Sequence, residues 1–260
     1  MADSLVIRID DGPIARLTLN DPKRANVLSS AMIETLFTAV SEAGVDNSIR
    51  VIVVGANGRV FCAGHDLAEL RAGNDQSVHE RLFRRCSELM LAIAMCPKPV
   101  IARVTGAAVA AGCQLVASCD LAYAERGARF AVSGINLGLF CSTPGVALSR
   151  KVGRGVALEM LLTGRFVGAE EAASIGLINR VADVDSLDAM IDEAAMTIAA
   201  KPAEAAALGK AFFQRQVELP LAEAYELAAL RMAQNLAFPS ARGGIDAFLS
   251  HGPVSSKVRS

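Results

Sequence analysis

Hydrophobic and polar positions follow two different periods along the chain, and these periods predict where strands and helices lie. Near the N-terminus, LVIRI and IARLTL flank the turn sequence DDGP and predict a β-hairpin. The stretch SSAMIETLFTAVSEAG has apolar residues three or four positions apart, and it predicts a helix that Ser29 or Ser30 caps. The apolar runs RVIVVGA and VIARV predict buried strands.

The later part of the chain changes in character. NGRVFCAGHDL is predicted to be a loop, and QSVHERLFRRCSELMLAIAMC an amphipathic helix. After Gly106 we expect a helix from about Val109, the strands LAYA and RFAV, and a helix that Thr143 caps. From about Gly153 onward the pattern is almost entirely helical, with LINRV as the one strand. This pattern predicts an α/β core over residues 1–195 and a helical region over residues 196–260.

Composition and charge exclude several classes of protein. Hydrophobic residues make up 52% of the 260 residues, which is enough for a sizeable core. The net charge of −1 argues against a nucleic-acid or anionic-membrane partner. No segment reaches the ~18 apolar residues of a membrane span. The six cysteines form no C-x-x-C pair, so we expect free thiols, no metal site and a cytoplasmic location.

Two short segments combine small residues with the start of a predicted helix. FCAGHDL contains Ala63 and Gly64, and VAAGCQL contains Ala110, Ala111 and Gly112. The first N–H groups of a helix lack partners and carry positive potential. Two such N–H groups meeting at one point would stabilise a carbonyl oxygen as it becomes an oxyanion. The alternative interpretation is close helix packing, which also requires small residues.

The order and spacing of several longer motifs resemble the enoyl-CoA hydratase/isomerase (crotonase) superfamily. These motifs are ARLTLNDPKRANVLSSAM, VIVVGANGRVFCAGHDL, KPVIARVTGAAVAAGCQLVASCDLAYA, FAVSGINLGLFCSTPG and EMLLTGRFVGAEEAASIGLINRV. Within the superfamily, GINLGLFCSTPGVALSR resembles the enoyl-CoA hydratase domain-containing protein 3 branch. The resemblance implies a crotonase (ClpP-like) fold with a repeated ββα spiral core. It also implies a helical C-terminal trimerisation region.

The resemblance also implies roles for individual residues. The N–H groups of His65 and Ala111 would form the oxyanion hole. Contacts with the coenzyme or the acyl group are implied for Ala25, Val27, Ala63, His65, Asp66, Leu67, Ala68, Asn136 and Phe248. His251 falls where the family places a basic residue, although the usual residue there is lysine.

The sequence departs from the family at the two positions that carry catalytic glutamates in the hydratases. These positions correspond here to Gln114 and Gly134. Neither residue can transfer a proton, and a positioned acid or base typically contributes ~10²–10⁴ in rate. Hydration by the two-glutamate route is therefore doubtful.

Other polar side chains near these motifs have alternative interpretations. The His65 ring is either a titratable group beside the hole or a packing group on its loop. Asn136 and Ser142 could orient a water or a substrate hydroxyl. Structural or surface roles are favoured for Asp66, Glu69, Asp75, Asp120 and Cys141. The alternatives are chemistry by one of these carboxylates or by a Cys141 thiolate, which would need a lowered pKa.

The resemblance thus implies an acyl-CoA-binding, enolate-stabilising protein of enoyl-CoA hydratase/isomerase type. Coenzyme A would enter as part of the substrate, with no other cofactor. The expected assembly is a homotrimer or a dimer of trimers. The alternative is a non-catalytic acyl-CoA binder in lipid metabolism.

Overall fold

The computed structural model describes residues 4–73 and 75–251, without the side chain of His251. Within these residues the strands are β1 Val6–Asp11, β2 Ile14–Leu19, β3 Val51–Ala56, β4 Val60–Cys62, β5 Val100–Val104, β6 Ala107–Val109, β7 Leu121–Glu125, β8 Arg129–Ala131, β9 Val167–Gly168 and β10 Arg180–Ala182. The helices are α1 Ser30–Val45, α2 Leu67–Ala72, α3 Gln76–Met95, α4 Ala111–Ser118, α5 Ser142–Lys151, α6 Arg154–Thr163, α7 Ala169–Ser174, α8 Val184–Ala199, α9 Ala203–Gln216, α10 Leu221–Leu236 and α11 Pro239–His251. Two 3₁₀ turns span Pro22–Arg24 and Ser133–Leu137.

A repeated unit of two strands and a helix builds the core. The first strand of each unit lies in a large sheet of order β1-β2-β3-β5-β7-β10, and the second lies in a small sheet of order β4-β6-β8-β9. Neighbouring units pair in parallel in both sheets, β3 with β5 and β7, and β4 with β6 and β8. The repeated ββα spiral of the crotonase fold is therefore confirmed.

Most of the strands and helices predicted from periodicity are present. The N-terminal hairpin is antiparallel, with Val6 opposite Leu19. All six residues of β3 are buried, as expected for a strand covered on both faces. Helix α1 begins after Ser29, whose hydroxyl accepts the Met32 N–H at 3.2 Å.

Three local predictions were wrong. The helix expected from about Val109 begins at Ala111, because residues 107–109 pair as a strand with both β4 and β8. The predicted NGRVFCAGHDL loop contains β4, which gains its partner only when β6 lies beside it. Thr143 lies inside α5 and caps nothing, since the helix begins at Ser142 without a side-chain cap.

The chain divides into two compact units, Met1–Ala200 and Lys201–Ser260. The first unit contains both sheets and helices α1 to α8. In the second unit α9 packs against α10, and α10 contacts α11. None of the residues of α9 and α10, all of which the structure describes, is buried. Among the described helices, none combines the length and the apolar character that crossing a bilayer requires.

Candidate active site

The end of β4 and the beginning of α4 lie against each other. Gly64 has φ +94°, and a Cβ atom added there would lie 3.0 Å from the Val109 carbonyl oxygen and 3.3 Å from the Ala111 nitrogen. Only glycine combines this backbone conformation with such a close approach. The two small-residue segments singled out in the sequence therefore meet.

A second glycine brings the helix itself close to the strand. A Cβ atom on Gly112 would lie 2.8 Å from the Cys62 Cβ and 2.9 Å from the Cys62 carbonyl carbon, and closer still to that carbonyl oxygen. These distances are shorter than van der Waals contact. The absence of a side chain at Gly112 is therefore what lets α4 lie directly on the backbone of β4.

The residue that precedes α4 is held in a strained conformation. Ala110 has φ +49° and ψ −116°, a region that non-glycine residues rarely adopt and that costs of order 1–3 kcal/mol. Two backbone hydrogen bonds hold it, from its N–H to the Ala131 carbonyl at 2.8 Å and from the Gln114 N–H to its own carbonyl at 3.0 Å. The torsion ψ of Ala110 sets the direction of the next N–H group, which belongs to Ala111.

The N–H groups of His65 and Ala111 donate no hydrogen bond to any residue that the structure describes. Ala111 is the first residue of α4, where helix geometry leaves the N–H free and the helix dipole adds positive potential. His65 forms an isolated parallel bridge with Leu28, in which the Gly64 carbonyl accepts the Leu28 N–H at 2.8 Å. Two free donors thus belong to segments that are in contact.

The segment after the first 3₁₀ turn runs beside this loop. The Ala63 N–H donates to the Ala25 carbonyl at 3.1 Å, which brings Ala25 and Val27 alongside the Ala63–His65 loop. Both Ala25 and Asn26 have positive φ, at 54° and 51°. The structure therefore gathers the predicted contact residues Ala25, Val27, Ala63 and His65 into one place.

Asn26 holds this segment in position, and the sequence analysis missed it. Its side chain is fully buried. Its Oδ1 accepts the Asp21 N–H at 2.8 Å, and its Nδ2 donates to the Asn57 and Val60 carbonyls at 2.9 and 2.8 Å. Asparagine also tolerates positive φ better than most residues. An uncharged polar residue between Ala25 and Val27 was the available signal, but the two carbonyls to which it donates lie more than 30 residues away.

Replacing Asn26 with aspartate is expected to lower the free energy of unfolding by roughly 3 kcal/mol or more. The variant loses the two donated hydrogen bonds and turns a carboxylate oxygen toward two carbonyl oxygens in a buried site. Asn57→Asp is the matched control, because the Asn57 side chain is exposed and, among the described residues, donates only to Asn20 Oδ1. Urea unfolding at neutral pH measures both variants. Equal losses would contradict the anchoring role of Asn26.

The His65 ring packs into the protein. Its edge meets the Phe83 ring with centroids 5.2 Å apart, and its Nδ1 lies 3.3 Å from the Leu28 carbonyl oxygen. Burial lowers the pKa of His65 below its ordinary value. Its Nε2 is buried and has no hydrogen-bond partner among the described residues.

The two positions of the family's glutamates differ in their surroundings. Gln114 is 4% exposed, and its Oε1 has no hydrogen-bond partner in the described structure. A Cβ atom on Gly134 would lie 2.5 Å from the Leu139 carbonyl oxygen and 2.8 Å from the Cys141 Sγ. The turn from Gly134 to Cys141 therefore has no room for a side chain at position 134.

The acidic residues near the two loops serve as structural acceptors. Asp66 caps α2 through the Ala68 and Glu69 N–H groups, and it forms an ion pair with Arg24. Burial would raise the pKa of Asp66, but these hydrogen bonds and Arg24 lower it overall. Glu69 accepts the Ser30 N–H, Asp75 the Ser77 N–H, and Asp120 the Val100 N–H.

The remaining predicted contact residues lie in several places. Leu67 and Ala68 are exposed in the first turn of α2. The Asn136 amide is turned toward Gly164, where an added Cβ would lie 3.0 Å from its Oδ1. Phe248 is exposed in α11 of the second unit, and the side chain of His251 lies outside the described residues.

The cysteines of the chain are all buried free thiols. Burial raises the pKa of Cys62, Cys86 and Cys113 to about 12, and it also raises the pKa of Cys141. Cys141 accepts the Gly134 N–H at 3.3 Å. In the described part of the chain, no group of three or more His, Cys, Asp or Glu residues is arranged to hold a metal ion.

Among the grooves on the described surface, two are relevant to the site. One of about 670 Å³ lies along α3 and is lined by Phe83, whose ring contacts His65, and by Thr143. The other, of about 850 Å³, lies on the α8 face of the large sheet, where Arg16 and Arg103 pair with Asp192 and Asp188. None of the predicted site residues lines this second cavity.

Comparisons with known proteins agree with the fold and the motifs. The profile of the enoyl-CoA hydratase/isomerase family matches residues 10–256. The mitochondrial enoyl-CoA hydratase domain-containing protein 3 of Rattus norvegicus is 44% identical over 93% of this chain and 80% of its own. The crystal structure of an enoyl-CoA hydratase from Mycobacterium smegmatis has a TM-score of 0.93 at 53% identity, covering 95% of this chain and 96% of that one. The crystal structure of the human enoyl-CoA hydratase domain-containing protein 3 has a TM-score of 0.92 at 43% identity, covering 95% and 97%.

The names of these relatives correct one prediction. The proteins from rat, mouse, Xenopus laevis and human are all named as mitochondrial, which contradicts the cytoplasmic location predicted from the sequence. That prediction was wrong because free thiols indicate a reducing compartment and do not distinguish one such compartment from another. Taken together, the profile match, the identities and the spiral core mean that this chain belongs to the enoyl-CoA hydratase/isomerase family.

Proposed function

We propose that the protein binds acyl-CoA thioesters and stabilises the enolate of the bound acyl group. The hydrogen bonds would come from the backbone N–H groups of His65 and Ala111. The observation that carries this proposal is the contact between Gly64 and the start of α4, with both N–H groups free. Preorganised donors of this kind stabilise charge as it develops on a carbonyl oxygen.

The strain at Ala110 supports the same proposal. A positive φ at an alanine persists only where surrounding contacts hold it, and such strain is concentrated at functional sites. Close packing, the alternative interpretation of the small residues, explains Gly112 but does not require a strained residue that redirects the Ala111 N–H. Coenzyme A enters as part of the substrate, and no other cofactor is proposed.

A second candidate is a non-catalytic acyl-CoA binder in lipid metabolism. Gln114 and Gly134 favour it, since neither side chain can donate or remove a proton. Both candidates require the thioester oxygen to be held. Only the first candidate turns its ligand over. Measurable hydration of crotonyl-CoA would therefore favour the first candidate, and a rate at background would favour the second.

The carbonyl oxygen is the part of the ligand on which the proposal depends. We expect butyryl-CoA to bind about 10- to 100-fold more tightly than butyl-CoA, the thioether that lacks the carbonyl. The bound thioester should also show a C=O stretch at lower frequency than free butyryl-CoA. Calorimetry and infrared difference spectroscopy measure the two effects. Equal affinities for butyryl-CoA and butyl-CoA, together with an unshifted C=O stretch, would contradict the proposed oxyanion hole.

The predicted homotrimer or dimer of trimers stays a prediction. Its support is a set of exposed large apolar side chains around the Gly134–Cys141 turn, α5 and α6, namely Leu137, Leu139, Phe140, Val146, Leu158, Leu162 and Phe166. Apolar surface of this extent commonly marks an interface. Light scattering of the purified protein gives the mass that tests it.

A further inference from the structure

The peptide unit between Gly64 and His65 sets the direction of one proposed donor. The Gly64 carbonyl accepts the Leu28 N–H at 2.8 Å. In a trans peptide the C=O and N–H groups point in opposite directions, and the described chain contains no cis peptide bond. The His65 N–H therefore points away from Leu28. A rotation of this one peptide plane would turn the donor out of the proposed hole.

The His65 ring holds the same segment through a second contact. Its Nδ1 lies 3.3 Å from the Leu28 carbonyl oxygen, and because a carbonyl only accepts, Nδ1 carries the proton of this hydrogen bond. Leu28 is thus held at its N–H by the main chain of the loop and at its carbonyl by the His65 side chain. The Phe83 ring packs against the imidazole, with centroids 5.2 Å apart. These contacts fix the residue that carries the donor.

The position of the ring suits a neutral imidazole and disfavours a charged one. With the proton on Nδ1, the Nε2 of a neutral imidazole bears a lone pair. Nε2 of His65 is buried and has no hydrogen-bond partner among the described residues. Protonation would create a buried N–H and a positive charge there, and burying a charge costs far more than burying a lone pair. Burial accordingly lowers the pKa of His65.

The acidic groups of α2 do not remove this penalty. Burial outweighs both the Leu28 carbonyl and Glu69, which raise the pKa of His65. Glu69 itself accepts the Ser30 N–H at 2.9 Å. Asp66 forms its ion pair with Arg24. The carboxylates nearest in sequence to the ring are therefore engaged with other donors.

The titratable groups of α3 are engaged as well. They line the groove to which Phe83 belongs. Their partners are Arg84 for Glu80, Arg85 for Glu88, and the Leu70 carbonyl for His79. Neither α2 nor α3 thus supplies a free carboxylate that would stabilise a protonated His65 ring.

We propose that the neutral side chain of His65 positions the backbone N–H of this residue in the oxyanion hole, and that protonation of the ring weakens acyl-CoA binding. This inference rests on the proposed function. A charged ring would have to leave Phe83 and the Leu28 carbonyl to reach water, and the Gly64–His65 peptide would then be free to rotate. His65 is in this sense a positioning residue. Because the neutral ring is the binding form, affinity is constant above the pKa of the ring and falls about tenfold per pH unit below it.

Two variants at position 65 distinguish positioning from simple packing. In His65→Asn the amide nitrogen takes a place close to that of Nδ1 and can donate to the Leu28 carbonyl, but the side chain does not titrate. His65→Ala lacks the donor. At about pH 7.5 we expect His65→Asn to bind butyryl-CoA nearly as tightly as the wild type, and His65→Ala to bind it about 10-fold more weakly. Calorimetry measures both affinities.

The pH profile supplies a readout that a packing role would not change. Between about pH 8 and pH 5, butyryl-CoA affinity should fall in the wild type, with the fall beginning below the ordinary histidine pKa of about 6.5, and the fall should be absent in His65→Asn. The phosphates of the ligand titrate equally in both proteins, so the difference reports the ring. His79→Gln is the matched control, because glutamine can keep the contact with the Leu70 carbonyl, and it should behave as the wild type. Nitrogen-15 NMR gives the tautomer and the pKa of His65 without ligand.

The outcomes separate this inference from the proposed function. Constant wild-type affinity over the pH range in which the His65 ring gains its proton would overturn the inference, and so would an equal acid loss in His65→Asn. Equal binding by His65→Asn and His65→Ala, or a proton found on Nε2 in place of Nδ1, would also overturn it. Each of these results leaves thioester binding at neutral pH intact. If butyryl-CoA binds at no pH, the proposed function fails and this inference fails with it.

Discussion

Replacing Gly112 with alanine is expected to abolish acyl-CoA binding and to lower the free energy of unfolding by roughly 3 kcal/mol or more. The added methyl group would overlap the carbonyl of Cys62. The backbone atoms of α4 and of β4 cannot rotate away from each other as a flexible side chain would. Helix α4 must therefore move off β4. That movement carries the Ala111 N–H away from the His65 loop. Urea unfolding and calorimetry with butyryl-CoA measure the two effects.

Gly155→Ala is the matched control for this variant. Gly155 is the second residue of α6, as Gly112 is the second residue of α4, but an added Cβ there has no neighbour within 4 Å. Alanine is favoured over glycine in helices by up to about 1 kcal/mol, so this control should be neutral or stabilising and should bind butyryl-CoA normally. Similar behaviour of the two variants would remove the claim that the α4–β4 contact forms the site.

The period of apolar residues correctly predicted the longer helices and strands of the core, because the apolar residues that each of them buries lie within one short stretch of sequence. Helix α1 and strand β3 are each fixed by apolar residues within one short stretch. Short strands such as β4 and β6 carry too few residues to show a period, and they become strands only by pairing with distant segments, β4 with β6 and β6 also with β8. The predicted start of α4 failed for a related reason, since the positive φ of Ala110 is imposed by contacts and alanine gives no indication of it.

The candidate site was predictable to a similar extent. The family resemblance implied that the FCAGHDL and VAAGCQL segments meet, and capping rules predicted the role of Asp66. The anchoring role of Asn26 and the Arg24–Asp66 pair depend on partners about 30 to 40 residues away. Sequence alone also left open whether the His65 ring faces a ligand, whereas its contacts with Leu28 and Phe83 show that it packs inward.

Crotonyl-CoA hydration is expected to be about 10⁴-fold or more slower in this protein than in a family member that has both glutamates, since each missing acid or base removes ~10²–10⁴ in rate. The proposed oxyanion hole alone would leave an enolate with no group to deliver or accept a proton. Loss of the enoyl absorbance at saturating crotonyl-CoA measures the rate. A kcat in the usual enzymatic range of roughly 1–10³ s⁻¹ would contradict the prediction and show that another side chain acts as the base.

Restoring a glutamate at position 114 and restoring one at position 134 are expected to change the hydration rate differently. Gln114→Glu places a carboxylate where an amide of equal size already fits, so hydration should rise by up to about 10²-fold. Gly134→Glu should add nothing, alone or in the double variant, because its Cβ meets the Leu139 carbonyl and Cys141 before a carboxylate can enter the site. A double variant much faster than Gln114→Glu would show that the Gly134–Cys141 turn can open. In that case only the type of residue at position 134 would distinguish this protein from the two-glutamate enzymes. In the structure the backbone of the Gly134–Cys141 turn differs as well, because it leaves no room for any side chain at position 134.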